Sequence, residues 1–92
     1  MSIVVRFAPT SLTAEKYNGT IRRLEAEAGF PPPGLDSHFC FGSEGNLLVT
    51  EIWDTREQFE AFGEQLMPVL TEAGIEFSGA PEIFEVHNII RR

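Results

Sequence analysis

The stretch "GFPPPGLD" at 29–36 constrains this chain more than any other. Three successive prolines remove backbone donors and hold the chain extended, so neither a helix nor a central strand can run through them. A helix must end before this crossover and a strand must start after it. Both flanks comply. From Thr13 the apolar positions Tyr17, Ile21, Leu24 and Ala28 fall at helical spacing, Glu15 sits in the first turn, and Gly29 stops the run. The spacing predicts a helix over 13–28, and "DSHFCF" predicts a strand over 36–41.

The remaining segments follow the same logic. "IVVRF" at 3–7 is short, β-branched and aromatic, and it ends at a turn-like stretch holding Pro9. "GSEG" at 42–45 reads as a turn that pairs "DSHFCF" with "NLLVTEIW" as an antiparallel hairpin. Thr55 with Gln58 three residues on forms a capping box, after which Phe59, Phe62, Leu66, Leu70 and Ala73 mark one face of a helix that stops at Gly74. Pro68 cannot donate to the carbonyl of Glu64, so a bend is expected there. Alternation in "IFEVHNII" predicts a last strand over 83–90. The order β-α-β-β-α-β predicts one α+β domain over 1–92: a ferredoxin-like sandwich of two helices on an antiparallel four-stranded sheet. Its strands are expected in the order fourth, first, third, second.

Each strand then has a helix side and an open side. The more apolar alternate positions are expected to face the helices: Ile3, Val5, Phe7, Phe39, Phe41, Leu48, Thr50, Ile52, Phe84, Val86, Asn88 and Ile90. The open side then collects Arg6, His38, Cys40, Glu51, Trp53, Glu85 and His87, together with Val4, Leu47, Val49, Ile83 and Ile89. That is too much apolar surface to leave in water, so a second sheet is expected to cover it.

Size and charge point the same way. At 92 residues, only roughly 60 to 65% of the unfolded chain's surface can be buried, which makes self-association a natural supplement. Seven basic against 14 acidic residues give a net charge of −7, unsuited to phosphate backbones or anionic lipid. Neither nucleic acid nor a membrane is an expected partner. Cys40 is the only cysteine, so no internal disulfide is possible. "MSIVVRF" lacks the pattern of a leader, and the cytoplasm is the expected location.

The polar residues carry two readings each. Arg6 between Glu85 and Glu51 is most simply a cross-strand charge set that fixes register, with substrate binding the lesser alternative. His38 and Cys40 at i, i+2 point the same way, as two metal ligands could, but a second pair is absent and no metal is expected. His87 is a candidate general base near Glu85 or Glu51, since imidazole titrates nearest neutral pH; a histidine fixing a subunit contact is the plainer reading. No glycine-rich phosphate loop, nucleophile elbow or CxxC pair is present, so no nucleotide cofactor is indicated. Eight phenylalanines, one tyrosine and one tryptophan are many for so small a chain, and bulky rings between a sheet and a bent helix can leave an apolar cleft.

"IVVRF", "PGLDSHFCF" and above all "EIWDTREQFEAF" resemble the antibiotic biosynthesis monooxygenase family and its relatives in the dimeric α/β-barrel superfamily. The resemblance implies a homodimer whose two sheets close face to face, with a small-molecule pocket in each subunit. Some relatives oxidise aromatic polyketides or quinols with oxygen and no metal or flavin, others degrade haem, and many have no known activity; for this chain no metal, flavin or haem is expected. Glu51 and Trp53 match the family's E-x-W stretch, and Phe62 stands where many members place a histidine. The expected ligand contacts are Trp53, His38, Arg6 and Phe62, and the candidate acid-base groups are His87 and Glu51. Three classes stay open: a cofactor-free enzyme, a non-catalytic binding protein and a dimerisation module.

Overall fold

Two threonines start the two helices. In the computed structural model, which describes residues 1–92, Thr13 is extended and its hydroxyl accepts the Lys16 N–H at 3.2 Å, opening α1 (Ala14–Glu27). Glu44, from the hairpin turn, adds an acceptor for the Ala14 N–H at 2.8 Å. Two of the donors left unpaired in the first turn are thereby satisfied, one of them by a carboxylate at the positive end of the helix. Thr55 does the same for α2 (Arg56–Glu72): it accepts the Gln58 N–H at 3.2 Å and donates to Gln58 Oε1 at 2.9 Å. α2 continues through Pro68.

The strands are β1 (Ile3–Phe7), β2 (Pro9–Thr10), β3 (Leu35–Ser43), β4 (Asn46–Trp53), β5 (Glu76–Phe77) and β6 (Glu82–Glu85). The main sheet has the order β3-β4-β1-β6, all neighbours antiparallel, which is the expected ferredoxin-like arrangement. β2 and β5 form a separate two-stranded ladder, Pro9 opposite Phe77, that was not legible in the sequence. No helix is long and apolar enough to cross a membrane.

The faces differ from expectation. The hairpin turn is two residues, Glu44 and Gly45, with Ser43 opposite Asn46, rather than four. Gly45 holds φ at +83°, where an L side chain is strained. This shifts the register by two, which preserves parity, so His38 still shares a face with Glu51 and Trp53, and Phe39 and Phe41 with Leu48, Thr50 and Ile52. What reverses is the side each group takes. β1 pairs Ile3 with Trp53, Val5 with Glu51 and Phe7 with Val49, so Val49, Glu51 and Trp53 join the helix side. Ile3, Val5, Leu24, Trp53, Phe62 and Val69 form the core. Phe39, Phe41 and Phe84, expected in the core, lie about half exposed on the open face, with Leu48 also exposed.

Arg6 stays on the open side but meets neither Glu51 nor Glu85. Its strand neighbours are Thr50 and Glu82, and its guanidinium lies 3.7 Å from the Glu82 carboxylate with both side chains exposed. The last strand ends at Glu85, apart from a bond from the Val86 N–H to the Ser2 carbonyl at 3.0 Å. His87 therefore sits beyond the sheet, exposed.

Candidate functional site

The site begins with an irregularity in β3. Leu35 and His38 are three apart, so in a regular strand they would face opposite ways. Leu35 pairs with Trp53 but Ser37 pairs with Ile52, so Asp36 is an extra residue, a β-bulge that resets the alternation. Both Leu35 and His38 then point to the helix side: Leu35 packs on the core, and His38 lies opposite Glu51. Asp36 itself turns outward, where hydrogen bonds from Ser37 at 2.9 Å and Arg91 at 2.8 Å hold its carboxyl below the usual range.

His38 is fixed from three directions. Its Nδ1 lies 2.6 Å from Glu51 Oε2, its Nε2 lies 2.7 Å from the Tyr17 hydroxyl, and the Phe30 ring stands nearly perpendicular to it with ring centres 5.5 Å apart. Tyr17 stacks on the imidazole at 5.9 Å with an interplanar angle of 22°. Behind this pair, Trp53 Nε1 donates to Glu51 Oε1 at 2.9 Å. Glu51 is 4% exposed and Trp53 fully buried, yet no buried side-chain nitrogen or oxygen in the molecule lacks a partner. The chain Trp53–Glu51–His38–Tyr17 is thus a closed polar network inside an apolar core, rigid because every group is satisfied.

The network fixes the proton arrangement. Glu51 is acceptor-only when ionised and takes one N–H on each oxygen, from Trp53 and from His38 Nδ1. In the neutral imidazole Nε2 is then the acceptor, and the Tyr17 hydroxyl donates to it. Tyr17 is suited to that role: burial first, then the nearby Cys40 and Glu51, push its phenol above the usual range, so it keeps its proton. Burial also raises the Cys40 thiol.

This network borders a small apolar cavity between the sheet and both helices, about 60 Å³ in volume and partly open to solvent. Phe7 and Val49 form its sheet wall, Ile21 and Leu24 its α1 wall, Phe62, Leu66 and Leu70 its α2 wall. Phe30 closes one side, and Pro9, Ile75 and Phe77 bring the small β2–β5 ladder to another. Of 16 lining residues, 12 are hydrophobic. Thr20 also lines it, but its hydroxyl is spent on the Lys16 carbonyl at 2.8 Å. The polar groups left to face a guest are Tyr17, His38 and Glu51.

The expected site residues therefore separate. His38, Glu51 and Phe62 line the cavity; Trp53 lies behind Glu51 and orients it; Arg6 is on the opposite face; His87 is exposed beyond the last strand. Val49, expected in a subunit interface, is a cavity residue. Tyr17 was read only as a helix-face position. Its hydroxyl leaves no mark in a hydrophobic pattern, and its link to His38 crosses 21 residues of sequence. No three His, Cys, Asp or Glu side chains come together in a way that could hold a metal ion.

Solved structures share this architecture. A single-residue variant of SnoaB, a cofactor-independent oxygenase from Streptomyces nogalater, superposes with a TM-score of 0.63 at 18% identity, over 99% of this chain and 96% of that one. The fold is that of the antibiotic biosynthesis monooxygenases. A candidate member of that group from Caulobacter crescentus gives 0.59 at 18% identity, covering 97% of this chain and 89% of that one. Another, from Chloroflexus aurantiacus, gives 0.60 at 14%, covering 98% and 95%. No family model and no curated protein sequence matches the chain.

Proposed function

We propose that this chain is a cytoplasmic, homodimeric, cofactor-independent oxygenase acting on a small, largely apolar organic molecule, with His38 as its general base. The observation that carries this reading is His38 held between Glu51 at 2.6 Å and Tyr17 at 2.7 Å on the wall of an apolar cavity. A carboxylate on Nδ1 fixes the tautomer that makes Nε2 the acceptor, able to take a proton, and it stabilises the imidazolium that forms. The ligand supplies what a metal or flavin would otherwise supply. Once deprotonated, an electron-rich carbanion or phenolate reduces oxygen directly; for a ring methylene, one oxygen atom ends as the carbonyl and the other leaves as water with the two hydrogens. The fold shared with SnoaB, a cofactor-independent oxygenase, supports the same class.

The half-exposed Phe39, Phe41 and Phe84 support the dimer. Rings of this size on one sheet face exceed what a monomer ordinarily leaves in water, and a second copy of the same face covers them.

The test is oxygen uptake with anthrone, an apolar ring system carrying an acidic methylene, and with a panel of hydroquinones. His38→Gln keeps size and some hydrogen bonding but removes the base, and turnover should fall about 10²- to 10⁴-fold. Turnover within a few-fold of wild type removes His38 from the chemistry. Tight binding with no oxygen uptake across the panel favours a non-catalytic binding protein, a reading the largely apolar cavity lining also fits.

A further inference from the structure

We propose that Tyr17 is a displaceable gate that sets ligand specificity: its hydroxyl occupies the one acceptor, His38 Nε2, that an incoming ligand hydroxyl needs, so only ligands able to outcompete a phenol reach the base. This rests on the reading of His38 as the base of the cavity.

Three observations carry it. Tyr17 lines the cavity yet is only half-buried on the first turns of α1, so its ring borders both the cavity and solvent. Its hydroxyl makes a single hydrogen bond, to Nε2 at 2.7 Å, and losing that bond leaves the hydroxyl free to reach water. The imidazole does not depend on Tyr17 for its orientation, because Glu51 at 2.6 Å and the perpendicular Phe30 ring, centred 5.5 Å away, hold it from the other sides. Displacement therefore exchanges one hydroxyl for another on a fixed acceptor, with no change of charge.

The exchange selects chemically. A ligand phenol or enol replaces Tyr17 at little cost, since donor and acceptor types are unchanged. An aliphatic alcohol is a weaker donor and loses the competition. A guest without a hydroxyl fills the cavity and leaves Tyr17 in place. In the reaction that follows, the ligand O–H bond breaks, its proton passes to Nε2, and the pair formed is a phenolate facing an imidazolium backed by the Glu51 carboxylate.

The experiment compares 4-methylphenol with 1,4-dimethylbenzene, matched in shape and differing in the hydroxyl, by titration calorimetry on wild type, Tyr17→Phe and the double variant Tyr17→Phe with His38→Leu. Phenylalanine keeps the ring that stacks on His38 and removes only the competing hydroxyl. A net hydrogen bond of about 0.5 to 1.5 kcal/mol corresponds to about twofold to twelvefold in affinity. Tyr17→Phe should tighten 4-methylphenol by that factor and leave 1,4-dimethylbenzene within twofold. Adding His38→Leu to Tyr17→Phe should remove the preference for the phenol that Tyr17→Phe shows. If Tyr17→Phe leaves the phenol unchanged or weakens it while the preference still depends on His38, Tyr17 is a ligand contact and the gate is wrong, with the base intact. If Tyr17→Phe shows no preference for the phenol, or shows one that the double variant keeps, the base falls and the gate with it.

Discussion

Replacing Glu51 by Gln should invert the histidine while leaving the fold in place. The carboxylate accepts His38 Nδ1–H at 2.6 Å and Trp53 Nε1–H at 2.9 Å. A glutamine has one acceptor oxygen, and the indole, which can only donate, must have it. The amide NH₂ then faces His38 Nδ1, which becomes the acceptor, and the ring proton moves to Nε2. Nε2–H donates to the Tyr17 oxygen and can no longer take a proton. No hydrogen bond is lost, but two charge-assisted bonds become neutral ones, each weaker by about 1 kcal/mol, a total of about 2 kcal/mol. Glu51→Leu differs in kind, since it leaves two buried N–H groups with no partner at about 1 to 3 kcal/mol each. For a chain of this size that is a large part of the total stability. Urea unfolding followed by circular dichroism, at one fixed protein concentration, should therefore rank wild type above Gln and Gln above Leu. Long-range ¹H–¹⁵N correlation spectra read the tautomer directly. A Gln variant that keeps its proton on Nδ1, or a Leu variant no less stable than Gln, would refute the reasoning.

Tyr17 is the sole tyrosine, so tyrosinate absorbance reports on it alone. Its midpoint should lie above the ordinary phenol value of about 10 in the folded protein and return to that value in urea. Because the folded pKa is the raised one, the stability this phenol contributes is complete below the ordinary value and is lost as pH climbs through the raised one. Phe41→Lys on the open face should give a folded monomer by sedimentation velocity at micromolar concentration, where wild type should sediment as the proposed dimer; a monomeric wild type removes the interface. Thr55→Ala removes the hydroxyl that accepts the Gln58 N–H, and should cost about 1 kcal/mol in urea unfolding without changing ligand affinity.

The two helices were legible because local chemistry fixes them. The triple proline, the two threonine caps and the stops at Gly29 and Gly74 place both helices within a residue or two of where they lie. The site was half legible. Glu51 and His38 were singled out and correctly grouped on one face, but Tyr17 was missed because no periodicity encodes a hydroxyl. Asp36 was missed because a one-residue bulge looks like any other strand residue until its partner strand is known.

The inverted faces have a different cause, and it bears on the dimer. Alternation identifies a core only when the other face is polar. Here Phe39 and Phe41 outweigh His38 and Cys40, so the greater apolar weight points away from the helices. The deciding information is the register between β1 and β4, Ile3 opposite Trp53 and Val5 opposite Glu51, which no turn sets because the first helix and the hairpin intervene. A core-facing glutamate and histidine are affordable only because Trp53 and Tyr17 complete their hydrogen bonds. The polar face is buried because it is satisfied, and the phenylalanine face is left outward with its rings about half exposed. A sheet that misleads in this way has two faces suited to burial and one set of helices, and a second sheet of the same kind is what supplies the missing cover in the proposed dimer.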